Sequence, residues 1–359
     1  MKRKITIFLT ILILALLASG CSGRSASVAS GWASLTADDE TAYVSFNTQV
    51  YAVDLANGTQ RWAFPAEPDS KISFYAAPAL TENGNLIVGG YNNILYRINT
   101  QSGLGSPFFD GAEGRYIEAP LVTSDLVLAP SADHTLYALD LDGNLVWKYK
   151  TEEPLWAQPA TDPACNCVYL ASMDHKVYAF ELESGRLIWS SPDLGGAIVS
   201  TPAVSADQIV YVGTFANQMI ALEAVSGNEL WRFNANDWVW ASPVIREDTL
   251  YFGDISGTFF ALDRHSGDLL WQIQPDGAIV GTPLVTEDAI YFTTEDGSLV
   301  SVTPDGAIRW NQPLETSLHA GPVGAGDTIL VTTSNPENLL IAVDNNGVRK
   351  WSFPPEKQP

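Results

Sequence analysis

An all-β, eight-bladed propeller of four-stranded antiparallel blades is the fold this sequence predicts, and three observations predict it. A proline opens a short apolar strand at near-constant intervals, with successive spacings of 42, 39, 43, 41, 40 and 39 residues between Pro78, Pro120, Pro159, Pro202, Pro243, Pro283 and Pro322. A tryptophan closes the unit on the same period, at Trp62, Trp147, Trp189, Trp231, Trp271, Trp310 and Trp351. Between the two markers the apolar residues alternate with period two and are broken by Gly, Asn and Asp turns, which is strand patterning and excludes helical repeats of similar length. Units near forty residues that cannot bury both faces alone must stack, and four strands per unit stack as a propeller.

The unit is clearest at Ala241 to Trp271, ASPVIREDTLYFGDISGTFFALDRHSGDLLW. SPVI is a first strand behind a turn-favouring Ser-Pro, TLYFGD a second, TFFALD a third, and Ser266-Gly267 turns the chain into DLLW. An opening without proline at Ser34-Leu35 makes the eighth copy, and the gap of 85 between Trp62 and Trp147 hides a degenerate second unit in which Pro107 stands at the tryptophan position. The chain opens on a first strand, Trp32 to Leu35, and closes on a fourth, Trp351 to Phe353, so the blades are expected to be whole. The propeller then spans residues 31–353, with a short tail over 354–359.

The first twenty residues stand apart from the repeat. Lys2-Arg3-Lys4 is a basic start, Ile5 to Leu17 an apolar run short for a membrane span, and Ala18-Ser19-Gly20 a small-residue run before Cys21. This resembles a bacterial lipoprotein signal, with Ala18 a mild departure where Leu is usual. The resemblance implies cleavage after residue 20, lipidation of Cys21, and an extracytoplasmic protein held at a membrane: the outer membrane if the host has one, otherwise the outer face of the cell membrane. Residues 22–30, SGRSASVAS, would form a tether of roughly 30 Å if fully extended.

Charge narrows the partners. The chain carries a formal −22, and because residues 1–20 hold three basic residues and no acid, the processed chain carries −25. Nucleic acid and anionic bilayers would repel it, so lipid and not charge would hold it at the membrane. Solubility accounts for such acidity, and so does attraction of basic partners or cations. With Cys21 assigned to the anchor, Cys165 and Cys167 remain, in PACNCVY between the first two strands of the fourth unit. A disulfide that reinforces this turn and a pair of free thiols are both compatible with export.

The third strand passes to the fourth through Ala-x-Asp/Glu-x-x-x-Gly-x-x-x-Trp, seen at Ala52-Asp54-Gly58-Trp62, Ala179-Glu181-Gly185-Trp189, Ala221-Glu223-Gly227-Trp231 and Ala261-Asp263-Gly267-Trp271. Copies one residue shorter end at Trp147, Trp310 and Trp351. This resembles the tryptophan-docking motif of the pyrroloquinoline-quinone (PQQ) repeat family, over the whole chain from Gly31 onward. Its residues read as structural parts, with Gly allowing a flat indole to approach the backbone and the indole filling the gap between blades. Quinoprotein dehydrogenases of that family hold PQQ between a tryptophan and adjacent cysteines, and hold Ca²⁺ with clustered carboxylates. This chain has no adjacent cysteine pair and no calcium constellation can be placed on it, so neither PQQ nor Ca²⁺ is expected, and a PQQ-dependent dehydrogenase or other ligand-binding enzyme on the same propeller stands as the alternative function.

Counting three back from each opening proline gives Trp32, Tyr75, Ile117, Trp156, Val199, Trp240, Val280 and His319, one per blade at the head of the innermost strand. Trp32, Tyr75, Trp156, Trp240 and His319 are a candidate binding rim at the channel mouth, with inter-blade packing as the other reading. Glu118 reads as the one acid at that level. Hairpin residues Asp133-His134, Asp174-His175, Asn217, Asp254, Asp296-Gly297 and Asn335 read as turn formers, and no nucleophile, zinc or phosphate-loop spacing occurs. Signal, blade count and docking motif together are most similar to the lipoprotein scaffolds of outer-membrane β-barrel assembly. The resemblance implies a non-catalytic scaffold that binds envelope proteins, as a monomer or as a subunit of a complex.

Overall fold

The computed structural model describes residues 33–162, 164–314 and 316–354. The signal, Cys21, the tether, Trp32 and residues 355–359 of the tail lie outside them. The described chain forms eight sheets of four antiparallel strands, each made from consecutive strands in simple up-and-down order. In the sixth blade the strands are Val244–Arg246, Thr249–Gly253, Phe259–Asp263 and Leu269–Ile273. The first strand begins after Pro243 because proline has no N–H to give the ladder. In the first blade, pairing among the described residues begins at Ser34, opposite Ser45, and Trp32, where the sequence placed the start of this strand, lies outside the described residues. The hairpin sets this register: Asp38 Oδ1 accepts the N–H groups of Glu40 and Thr41, and Ala37 then faces Ala42.

The two middle strands of each blade carry the core. Thr41–Phe46, Leu126–Pro130, Cys167–Ala171 and Ile209–Thr214 are buried along their whole length, since both faces of a blade meet a neighbouring blade. Eight apolar clusters result, one between each adjacent pair of blades, and the one joining Val44 and Tyr51 to Leu330 and Leu340 closes the last blade on the first.

The docking tryptophans act across these interfaces and not within their own units. Trp189 Nε1 donates to the Ala224 carbonyl at 2.9 Å, in the following blade, and its ring lies over Gly227 of that blade. Gly227 has φ +73°, and a Cβ there would stand 2.5 Å from Trp189 Cε3, so the site admits glycine on two separate grounds. Trp147 reaches Leu182 and Gly185, Trp231 reaches Arg264 and Gly267, and Trp271 and Trp310 likewise donate to Pro304 and Asn345. A β-bulge opposite each motif Ala, as at Ala221/Leu222 against Trp231, aims the indole forward, and it leaves Val146, Ile188, Leu230 and Leu270 exposed.

Trp351 of the last blade completes the circle by donating to the Leu55 carbonyl at 2.9 Å and covering Gly58. Thr332 Oγ1 donates to the Ala33 carbonyl at 2.7 Å, and the Phe353 and Tyr51 rings meet edge-on at 5.7 Å. Closure therefore uses side chains between whole blades, and among the described residues no strand is shared between the first and last sheets.

The degenerate second blade restores the contact by other means. Its bulge moves to Leu95/Tyr96, which brings Phe108 forward against Gly143 of the third blade. Arg97, at the motif's Ala position, lies 4.5 Å over the Phe108 ring and donates through Nη2 to the Leu141 carbonyl. Leu141 is the counterpart of the carbonyls that accept from the tryptophans. A guanidinium and a phenyl ring thus divide between them the N–H and the ring of the missing indole.

Candidate binding channel

The innermost strands and the loops that lead into them enclose a central cavity of about 610 Å³. Ile117, Trp156, Val199, Trp240, Val280 and His319 all line it, as their shared position three before each proline requires. Tyr75 is not among the walls; it packs edge-on against Tyr91 at 4.5 Å, with the Arg115 guanidinium 5.2 Å over the Tyr91 ring. Trp32, the remaining rim residue, falls outside the described residues.

The second-to-third hairpins hold these loops rigid. Asp254 is fully buried, its Oδ2 accepting the N–H groups of Asn236 and Asp237 at 3.0 Å each and its Oδ1 accepting Ser256 and Thr258 N–H. Val239 N–H to Thr214 O and Ile255 N–H to Trp238 O tie the same loop to the blades on either side. Asp133 accepts from Glu113 and Gly114 N–H, and Asp174 from Glu152 N–H, so the loops leading to Ile117 and Trp156 are clamped in the same way. Burial pushes the Asp133 carboxyl up, but the Glu113 N–H and the Tyr137 hydroxyl outweigh it and hold the group below the ordinary carboxylate range. These aspartates are turn formers, as their positions suggested, and they also fix the rim. His134 and His175 stand in the same hairpins at φ 73° and 70°; His134 Nδ1 contacts the Glu152 carbonyl and His175 Nδ1 the Asp193 carboxylate.

Two acids face the channel, where the sequence reading placed Glu118 alone. Glu295, from the hairpin of the seventh blade, also lines it and pairs with His319 Nδ1 at 3.0 Å. Glu118 Oε1 accepts the Ala119 N–H at 2.8 Å, and burial raises its pKa against that hydrogen bond. Among the described residues that line the cavity, none is Lys or Arg.

Beyond the mouth the aromatic surface continues. Trp240 meets Phe215 at 5.2 Å, and Phe215 stacks on Trp238 at 4.8 Å with the planes 11° apart. Trp238 is 44% exposed, so a ladder of rings climbs from inside the channel to the surface. Phe215 and Trp238 escape the proline count because they occur in one blade only. Cys165 and Cys167 are joined as a disulfide in the first-to-second strand turn, at the end of the blade away from this mouth.

Whole blades, forward-reaching tryptophans and an aromatic channel define a propeller of the PQQ-like repeat class. The profile of the family described as outer membrane protein assembly factor BamB matches residues 46–192, 173–278, 221–305 and 278–359, and the chain belongs to that family. The outer membrane protein assembly factor BamB of Yersinia pestis is 26% identical over 203 residues, covering 51% of this chain and 51% of that protein. The chain thus spans about half the length of that curated relative. Among solved structures, BamB from Moraxella catarrhalis superposes with a TM-score of 0.72 at 15% identity, over 86% of this chain and 95% of that one. The computationally designed protein Ika8 superposes at 0.74 and 14% identity, over 90% and 96%. At such identities these two likenesses speak to the fold alone.

Proposed function

We propose that this chain is a non-catalytic binding scaffold of the bacterial envelope, lipid-anchored through Cys21 and extracytoplasmic, that serves outer-membrane protein assembly by holding protein partners at its channel mouth. The observation that carries the reading is the mouth itself: aromatic side chains presented on clamped loops, ordered before any partner arrives. Membership of a family described by its role in outer-membrane protein assembly supports the same reading.

The donor set supports binding over quinone chemistry. The cysteine bridge lies at the far end of the fourth blade from Trp156 and Trp240, and among the described residues no three His, Cys, Asp or Glu side chains converge as a metal site. These residues do not fit PQQ held with Ca²⁺. Of the two channel acids, Glu295 is bonded to His319 and Glu118 accepts the Ala119 N–H.

Photo-crosslinking from position 238 in native envelopes, followed by mass spectrometry, tests the proposal. A reproducible envelope protein should be recovered, and Trp156→Ala with Trp240→Ala should reduce its yield at least fivefold while the protein stays folded. Recovery of no reproducible partner, or a yield indifferent to the two substitutions, would overturn the assignment to this mouth.

A further inference from the structure

We propose that the channel receives a basic side chain, lysine or arginine, presented by an extended polypeptide segment, with Glu118 as its counter-charge and Trp156 and Trp240 as its walls. The inference rests on the scaffold reading and gives it a chemistry of recognition.

Glu118 faces a cavity whose other walls are mostly apolar, and it meets one backbone N–H there and no cationic residue of the lining. A half-buried carboxylate so placed loses part of its hydration and recovers one hydrogen bond, from the Ala119 N–H. Its raised pKa is the same fact in another form, since burial is the dominant cause. A cation entering the channel reverses that penalty. Glu295 is less available for this role because His319 already contacts its carboxylate at 3.0 Å.

The walls suit the rest of such a side chain. An alkyl stem packs on Ile117, Val199 and Val280, and an ammonium or guanidinium group gains from the faces of Trp156 and Trp240. The Phe215–Trp238 stack extends the recognition surface outside the cavity, which a free amine has no atoms to use and a polypeptide has. The formal charge of −22 draws basic segments toward the protein and repels acidic ones.

Fluorescence polarisation with the full chain and dye-labelled pentapeptides tests this. The probes are Gly-Gly-Lys-Gly-Gly, its arginine counterpart, and the version with norleucine, which keeps the stem and lacks the charge. Lysine and arginine peptides should bind saturably and at least tenfold more tightly than the norleucine peptide. Glu118→Gln should remove that difference, and Glu287→Gln, which alters an exposed acid outside the lining, should leave it unchanged. Trp156→Leu gives a second route should Glu118→Gln fold poorly, and it should weaken the basic peptides at least threefold.

Equal binding of lysine and norleucine peptides would overturn the inference, as would equal losses from Glu118→Gln and Glu287→Gln, which would signify bulk charge alone. Butylamine competing as effectively per molecule as the lysine peptide would overturn the polypeptide source in favour of free amines. Failure here with a partner still crosslinked at position 238 removes the basic side chain and keeps the scaffold. Peptide binding without any envelope partner keeps the channel chemistry and removes the scaffold.

Discussion

At Glu118 the fold places a half-buried carboxyl in a mostly apolar channel, and the consequence for stability can be worked out. Burial raises its folded pKa above the unshifted value of 4.5, opposed by the Ala119 N–H. A carboxyl that binds its proton more tightly when folded contributes stability that is fully present below its unfolded pKa and is lost as pH rises through the folded value. Glu118→Gln cannot ionise, so its thermal midpoint should match the wild type at acidic pH and exceed it by a widening margin as pH rises past 4.5 toward neutrality. Parallel midpoint curves for the two proteins would show that the group is not desolvated. The sequence marked Glu118 through its place beside Ile117 in the repeat register. Glu295 gave no such signal, because it lies in a hairpin outside the proline register and meets the channel beside His319, 24 residues on.

At the scale of the blade, the fourth strand decides how units join. Trp231 is half-buried and donates to Arg264 O at 3.0 Å, so Trp231→Ala removes both a ring and a hydrogen bond and is expected to cost about 3 kcal/mol, the lower end for large aromatic truncations. Arg97→Met in the second blade keeps the stem and leaves the Leu141 carbonyl without the guanidinium, for an expected loss of about 1–2 kcal/mol. Denaturant unfolding of both variants checks the pair, and a neutral Arg97→Met would deny the arginine its place in the interface. Periodicity made the tryptophans legible: seven copies in register identify one another. Arg97 and Phe108 have no copies, and their partnership arises from a bulge displaced by two residues, which composition and spacing do not encode. Phe215 and Trp238 were hidden for the same reason, as solitary residues brought together by a hairpin and a loop.

For the molecule as a whole, eight interfaces and no strand shared among the described residues mean that closure depends on one tryptophan joint of the same kind as six of the other seven. Trp351→Ala should therefore speed amide exchange in the first and eighth blades, by tenfold or more in their middle strands, and leave the fourth and fifth near wild type; uniform acceleration across all blades would show a ring that opens only as a unit. Blade number was legible in the sequence, whole blades were an expectation from it, and on closure it was silent because the carbonyl that accepts from Trp351 belongs to a residue 296 positions away. The forward reach of each indole also gives the ring a direction in time. A chain emerging N-terminal first presents each blade's ring before its receiving glycine exists, so every finished blade waits with one flank uncovered until its successor arrives. Gly58 waits longest of all. The first docking turn to be made is the last to be covered, and until Trp351 emerges the two ends of the ring display matching halves of a single contact.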